Sequence, residues 1–180
     1  MTTRANLVLV GPMGAGKTSV GKIVAEKLKL EFIDSDRELE SRCGADIPWI
    51  FDIEGEAGFR AREKEVIADL CNRSGMLLAT GGGAVLSSTN RKALGKTGVV
   101  IYLSSTPDQI FERVRHDNGR PLLQVENPRK TIAEIIKKRD PYYREIADII
   151  LCSSDAESAQ SMATAVIAKI KEDFPKQFAI

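Results

Sequence analysis

The run Gly11-Pro12-Met13-Gly14-Ala15-Gly16-Lys17-Thr18 matches the pattern G-x-x-x-x-G-K-[ST] in full. Glycines at these positions let consecutive backbone N–H groups turn inward around an anion. A helix starting near Lys17 would point the positive end of its dipole at the same place. Lys17 adds a point charge for β- and γ-phosphates, and the Thr18 hydroxyl can ligate Mg²⁺. The chemistry implied is nucleotide binding, with the reaction left open. A GTPase should carry an Asn-Lys-x-Asp segment, and the chain has none. A motor-type ATPase should end an apolar strand with an acid that holds Mg²⁺. Here Met76 to Thr80 ends in Gly81-Gly82-Gly83, and the acids come earlier, as Asp34 and Asp36.

Two carboxylates at i and i+2, at a strand end beside a phosphate loop, can divide two jobs. One holds Mg²⁺; the other faces an acceptor hydroxyl and orients it or takes its proton. The alternative is that both only stabilise a helix N-terminus. Arg60 and Arg139 would suit a small carboxylate if they met in one pocket, because the guanidinium forks a carboxylate with two hydrogen bonds; otherwise they are solvated surface residues. The triple glycine offers either close backbone approach to a ligand or a flexible turn. Arg120, within Asn118-Gly119-Arg120-Pro121, could reach a transferring phosphoryl group from a lid, or could simply be solvated.

These residues must be positioned by something. Leu7 to Val10 reads as a strand, broken by the glycine loop. Val20, Ile23, Val24 and Leu28 then give helical spacing. Glu31-Phe32-Ile33 reads as a second strand. Ser35-Asp36-Arg37-Glu38 has the pattern of a capping box opening a helix, with Leu39 and Cys43 on its buried face. Residues 47–72 read as mostly helical with a break near Gly55 and Gly58. Met76 to Thr80 is a third strand, and Val99 to Leu103 a fourth. Pro107 opens a helix to Arg115. Residues 116–128 carry Asn118-Gly119, Pro121 and Pro128 and read as a mobile loop. Thr131 to Tyr143 reads as a helix interrupted by Pro141. Ile149 to Cys152 is a fifth strand, and Ala156 to Phe174 a terminal amphipathic helix. Alternating strands and helices imply βαβ crossovers and a parallel sheet covered on both faces.

The chain has 180 residues, and 28% are charged and 43% hydrophobic. A domain of this length buries roughly 70% of its unfolded surface and needs no disulfide or structural metal. With Lys+Arg 26 against Asp+Glu 25, the net charge of +1 argues against a dedicated nucleic-acid binder. Cys43, Cys71 and Cys152 are far apart and form no CxxC pair, so free thiols in a reducing compartment are expected. No apolar run has the length of a signal peptide core or a membrane span. The expectation is a cytoplasmic protein.

Taken together, the motifs resemble those of the bacterial-type shikimate kinase family over almost the whole chain. The resemblance rests on the phosphate loop, Asp34-Ser35-Asp36, Gly58-Phe59-Arg60 with Glu63, Gly81-Gly82-Gly83, Arg120-Pro121-Leu122-Leu123, and Arg139 followed by Pro141 and Tyr143. It implies an α/β phosphate-loop kinase fold, with a five-stranded parallel sheet ordered 2-3-1-4-5 and flanked by helices. One kinase domain would span 1–180, with a mobile lid at about 116–128. It implies transfer of the γ-phosphoryl of ATP to a hydroxyl of shikimate, giving shikimate 3-phosphate and ADP in aromatic amino-acid biosynthesis.

Carried onto matching positions, Lys17, Asp36 and Arg120 would be catalytic. ATP would be held by Gly14, Ala15, Gly16, Lys17, Thr18, Ser19 and Arg120, with Arg113 flanking adenine and Glu157 as a further adenine contact. Shikimate would be held by Asp36, Arg60, Gly82 and Arg139, and Mg²⁺ by Thr18 and Asp34. A monomer with no nucleic-acid or membrane partner is implied. Gluconate kinases are similar in fold, size and loop, but the paired aspartates, Gly58-Phe59-Arg60 and the triple glycine favour shikimate. A nucleoside-monophosphate kinase would have another arginine set and a longer chain. A non-catalytic nucleotide-binding module would not need Lys17, Thr18, Asp36 and Arg120 together.

Overall fold

Strand β1, Asn6–Val10, is buried along its whole length. A run apolar on both faces needs strands on either side and helices above and below. The computed structural model, which describes residues 5–115, 125–153 and 158–178, supplies both. β1 pairs in parallel with β3, Met76–Ala79, on one side and with β4, Gly98–Ser104, on the other. β2, Glu31–Asp34, lies outside β3, and β5, Ile149–Cys152, outside β4. The order is therefore β2-β3-β1-β4-β5, as the resemblance implies. Leu9 stands opposite Ala79, and Ala79 opposite Asp34. That register brings residues 11–16, 34–36 and 80–83 to one edge of the sheet.

Each face of the sheet has its own core. Helices α1, Lys17–Leu28, and α7, Ala159–Asp173, cover one face with Val20, Val24, Met162, Val166 and Ile170. The other face is covered by α3, Ile47–Leu70, by α4, Ser88–Thr97, and by α6, Pro128–Ile146, with Ile67, Leu70, Leu94 and Tyr143. Helix α2, Ser35–Cys43, seals the β2 end through Leu39. Helix α5, Pro107–Val114, meets α6 through Ile110, Val114 and Ile132. Cys43, Cys71 and Cys152 form no disulfide and are half-buried.

Four local readings differ from the structure. The cap of α2 is Asp34, not Ser35: the Asp34 carboxylate accepts from the Asp36 and Arg37 N–H groups. The break in α3 sits at Gly55 alone, with φ 68° and ψ −177°. Helix α6 starts at Pro128, inside the expected loop, and runs on through Pro141. A mid-helix proline costs a hydrogen bond and a ring clash, about 3 kcal/mol. Here Tyr143, fully buried, and Tyr142, stacked under Arg91 at 4.4 Å, hold the last turns in place. Finally, α4 answers to no element read from residues 84–98, although Ser87 caps it through the Asn90 N–H.

Candidate active site

The phosphate loop takes its shape from glycines in the left-handed region. Gly14 has φ 71° and Gly16 φ 92°, values that side-chain-bearing residues rarely adopt. Gly16 caps α1 without a side-chain hydrogen bond, so the first-turn N–H groups remain available to an anion. The Lys17 side chain is largely buried, and its Nζ donates to the carbonyls of Gly11 and Pro12, both at 2.7 Å.

The two aspartates have separate surroundings. Asp34 Oδ2 accepts from Thr18 Oγ1 at 2.9 Å, while Oδ1 caps α2. The carboxyl of Asp36 is pushed up to about 6, mainly by burial and then by the negative charges of Asp34 and Glu63, against the pull of Lys17. At neutral pH it is ionised but close to its titration range, as suits a group that exchanges a proton with a hydroxyl.

The triple glycine is a seat for charged side chains. A Cβ on Gly81 would lie 2.5 Å from Asp36 Oδ1, and one on Gly83 would lie 2.6 Å from Arg60 Nη1. Ser35 Oγ fixes the loop by accepting from the Gly81 N–H at 3.0 Å. Arg60 Nη1 donates to Glu63 Oε2 at 2.7 Å, and Glu63 is 3% exposed. Burial raises the Glu63 carboxyl, while Arg60 and then Arg139 pull it down. Arg60 and Arg139 also both act on Tyr143. The two arginines therefore lie around one acid and one phenol. Glu63 Oε1 and Arg60 Nε are buried without hydrogen-bond partners among the described residues. The site is ready to take further polar groups.

Two clefts flank the loop and share Gly16 and Ser19. One, of about 230 Å³, joins Lys17, Thr18, Asp34, Asp36, Gly81 and Gly82. The other, of about 300 Å³, runs past Ala15, Val20, Arg113, Ser153 and Met162. Arg113 Nη1 donates to the Gly14 carbonyl at 3.0 Å, so it lines this second cleft from the loop side. Arg120 and Glu157 lie outside the described residues, as do residues 116–124 of the expected lid. Sequence reading assigned no role to Glu63 or Tyr143. Their signals are the i, i+3 spacing from Arg60 and the i, i+4 spacing from Arg139.

Among the described residues, no cluster of three or more His, Cys, Asp and Glu could hold a metal. No described helix is long and apolar enough to cross a membrane.

Comparison with known proteins gives a consistent picture. The family model for shikimate kinase matches residues 13–171. A shikimate kinase of Actinobacillus pleuropneumoniae serotype 5b is 52% identical over 170 residues, covering 94% of this chain and 98% of that protein. The solved structure of a shikimate kinase from Acinetobacter baumannii in complex with shikimate superposes with a TM-score of 0.92 at 45% identity, covering 97% of both chains. A gluconokinase from Sinorhizobium meliloti shares the fold at a TM-score of 0.57, with 19% identity.

Proposed function

The chain belongs to the shikimate kinase family, and from that premise we propose how its residues divide the work of moving the γ-phosphoryl of ATP to shikimate. The family reaction is ATP-dependent phosphorylation of a shikimate hydroxyl. The observation that carries the assignment of roles is the 230 Å³ cleft, where the phosphate loop, both aspartates, Gly81 and Gly82 line one space. Gly14 to Ser19 hold the phosphates through backbone N–H groups, and Lys17 turns from its loop carbonyls to the β/γ-phosphates. The adenosine part lies along Arg113 in the 300 Å³ cleft, with Glu157 as a further adenine contact.

Arg60 and Arg139 grip the shikimate carboxylate, with the Gly82 backbone beside it. That hold aims a ring hydroxyl at Asp36. The hydroxyl oxygen bonds to the γ-phosphorus as the bond to the β,γ-bridging oxygen breaks. ADP leaves, and the hydroxyl proton passes to Asp36. Arg120, on a lid spanning about 116–128, stabilises charge on the moving phosphoryl. Thr18 and Asp34, hard oxygen donors 2.9 Å apart, would hold a Mg²⁺. When bound, that ion neutralises charge building on the β- and γ-oxygens. We further propose a monomeric, cytoplasmic enzyme with one kinase domain over 1–180.

The test is purified protein with ATP and Mg²⁺, scored for ADP release on shikimate, gluconate and nucleoside monophosphates. Release on shikimate alone is expected. Release on gluconate at equal or higher kcat/KM would overturn the acceptor assignment.

A further inference from the structure

Helix α6 carries Arg139, while the glycine loop follows β3. The link is Tyr143, one turn further along the same helix face. Its ring is fully buried and lies 4.9 Å from the Tyr102 ring, tilted by 30°. Its hydroxyl donates to the Gly82 carbonyl at 2.5 Å. The Arg139 guanidinium, one turn earlier on α6, acts on the same hydroxyl, its positive charge favouring the ionised phenol against burial. One hydroxyl thus joins two acceptor-holding parts that are 57 residues apart in sequence. The Gly82–Gly83 peptide is planar, so fixing the Gly82 carbonyl also fixes the opposite direction of the Gly83 N–H. Beneath it, Tyr102 donates to Asp140 at 2.8 Å, and Asp140 accepts from Arg144 at 2.6 Å, anchoring this turn of α6 on β4.

We infer that Tyr143 is a positioning residue for the acceptor, its hydroxyl setting the Gly82 peptide and the Arg139 guanidinium in mutual register. This rests on the reading that Gly82 and Arg139 hold shikimate. Tyr143 does not itself take the reaction's proton: burial pushes its hydroxyl up to about 12, out of range for a base at neutral pH. Its ring and hydroxyl are both committed to protein partners. Its influence is therefore confined to where the acceptor sits.

The experiment is steady-state kinetics on Tyr143→Phe, Tyr102→Phe, Arg139→Ala and the double variant Arg139→Ala/Tyr143→Phe. Tyr143→Phe keeps the stacked ring and deletes only the shared hydroxyl. We expect its KM for shikimate to rise about 10-fold, with KM for ATP and kcat within about 2-fold, on the scale of one buried hydrogen bond. Tyr102→Phe loosens this turn of α6 on β4 but leaves the Tyr143 hydroxyl in place. It should lower thermal stability and raise KM for shikimate less than Tyr143→Phe does. The double variant should raise KM by less than the product of the two single effects, because both act through one guanidinium. An unchanged KM for shikimate in Tyr143→Phe, with Arg139→Ala impaired, overturns the positioning role alone. Equal rises in both KM values overturn it too, as a general structural effect. An unimpaired Arg139→Ala overturns the acceptor reading and this inference with it.

Discussion

Gly83→Ala tests the view that the triple glycine exists to seat charged side chains. Gly83 has φ −94° and ψ −2°, which alanine adopts without strain. The perturbation is therefore purely steric. The new methyl would fall on the Arg60 guanidinium, 2.6 Å from Nη1 and 2.8 Å from Cζ. An ordinary contact is about 3.5 Å, so the guanidinium must retreat by about 1 Å. It can do so because it is the end of a flexible side chain, but not without stretching its 2.7 Å bond to buried Glu63. The fold should lose about 1–2 kcal/mol for that weakened charged hydrogen bond. Displacing a substrate-holding group by about 1 Å costs up to roughly 10²-fold, about 2.7 kcal/mol. We expect kcat/KM for shikimate to fall about 30- to 100-fold, mostly through KM. ATP affinity measured by calorimetry without acceptor should stay within about 2-fold, since Gly83 does not line either nucleotide-side surface. A KM for shikimate that does not move, in a variant that binds ATP normally, would refute the seat.

Asp36→Asn gives a pH-dependent stability effect in nucleotide-free, Mg²⁺-free protein. Its folded value of about 6 lies above the ordinary 3.8, so folding disfavours the ionised form. The cost is absent below about pH 3.8, grows as pH rises through 6 and is full at pH 7, where the variant should gain about 1–3 kcal/mol. Urea melts at pH 7 and pH 4 check it; an equal gain at both would sink the assignment. The same variant should lose turnover far more than ATP affinity. Lys17→Met should reduce kcat by orders of magnitude while circular dichroism stays native. Stability should fall by about 1–2 kcal/mol, because the buried ammonium's two carbonyl bonds are lost. Near-normal turnover would remove Lys17 from phosphate binding. Arg120→Ala should lower kcat by roughly 10²–10⁴ with little change in shikimate affinity, read from single-turnover kinetics and calorimetry.

Local features were legible in the sequence. The phosphate loop is a contiguous motif whose chemistry lies in its own backbone, so strand, glycine turn and helix followed from residues 7–28. Five apolar runs spaced by helices gave the parallel sheet, because burial on both faces writes itself into each run. What only the tertiary structure decided is how distant residues compete for one another. Ser35 looked like the cap of α2, but its hydroxyl accepts from Gly81, 46 residues away, and Asp34 caps instead. The glycines at 81 and 83 read as close approach to a ligand or as a flexible turn, and prove to be room for Asp36 and Arg60. Pro141 looked like a break, and is carried by Tyr142 and Tyr143 packing elsewhere. Arg60 and Arg139 could be named but not brought together. Their meeting around Glu63 and Tyr143 depends on how α3 and α6 lie across one face of the sheet. Hydrogen bonds and charges reach only a few ångströms, and strand order and helix placement together determine which far-apart residues come within that reach.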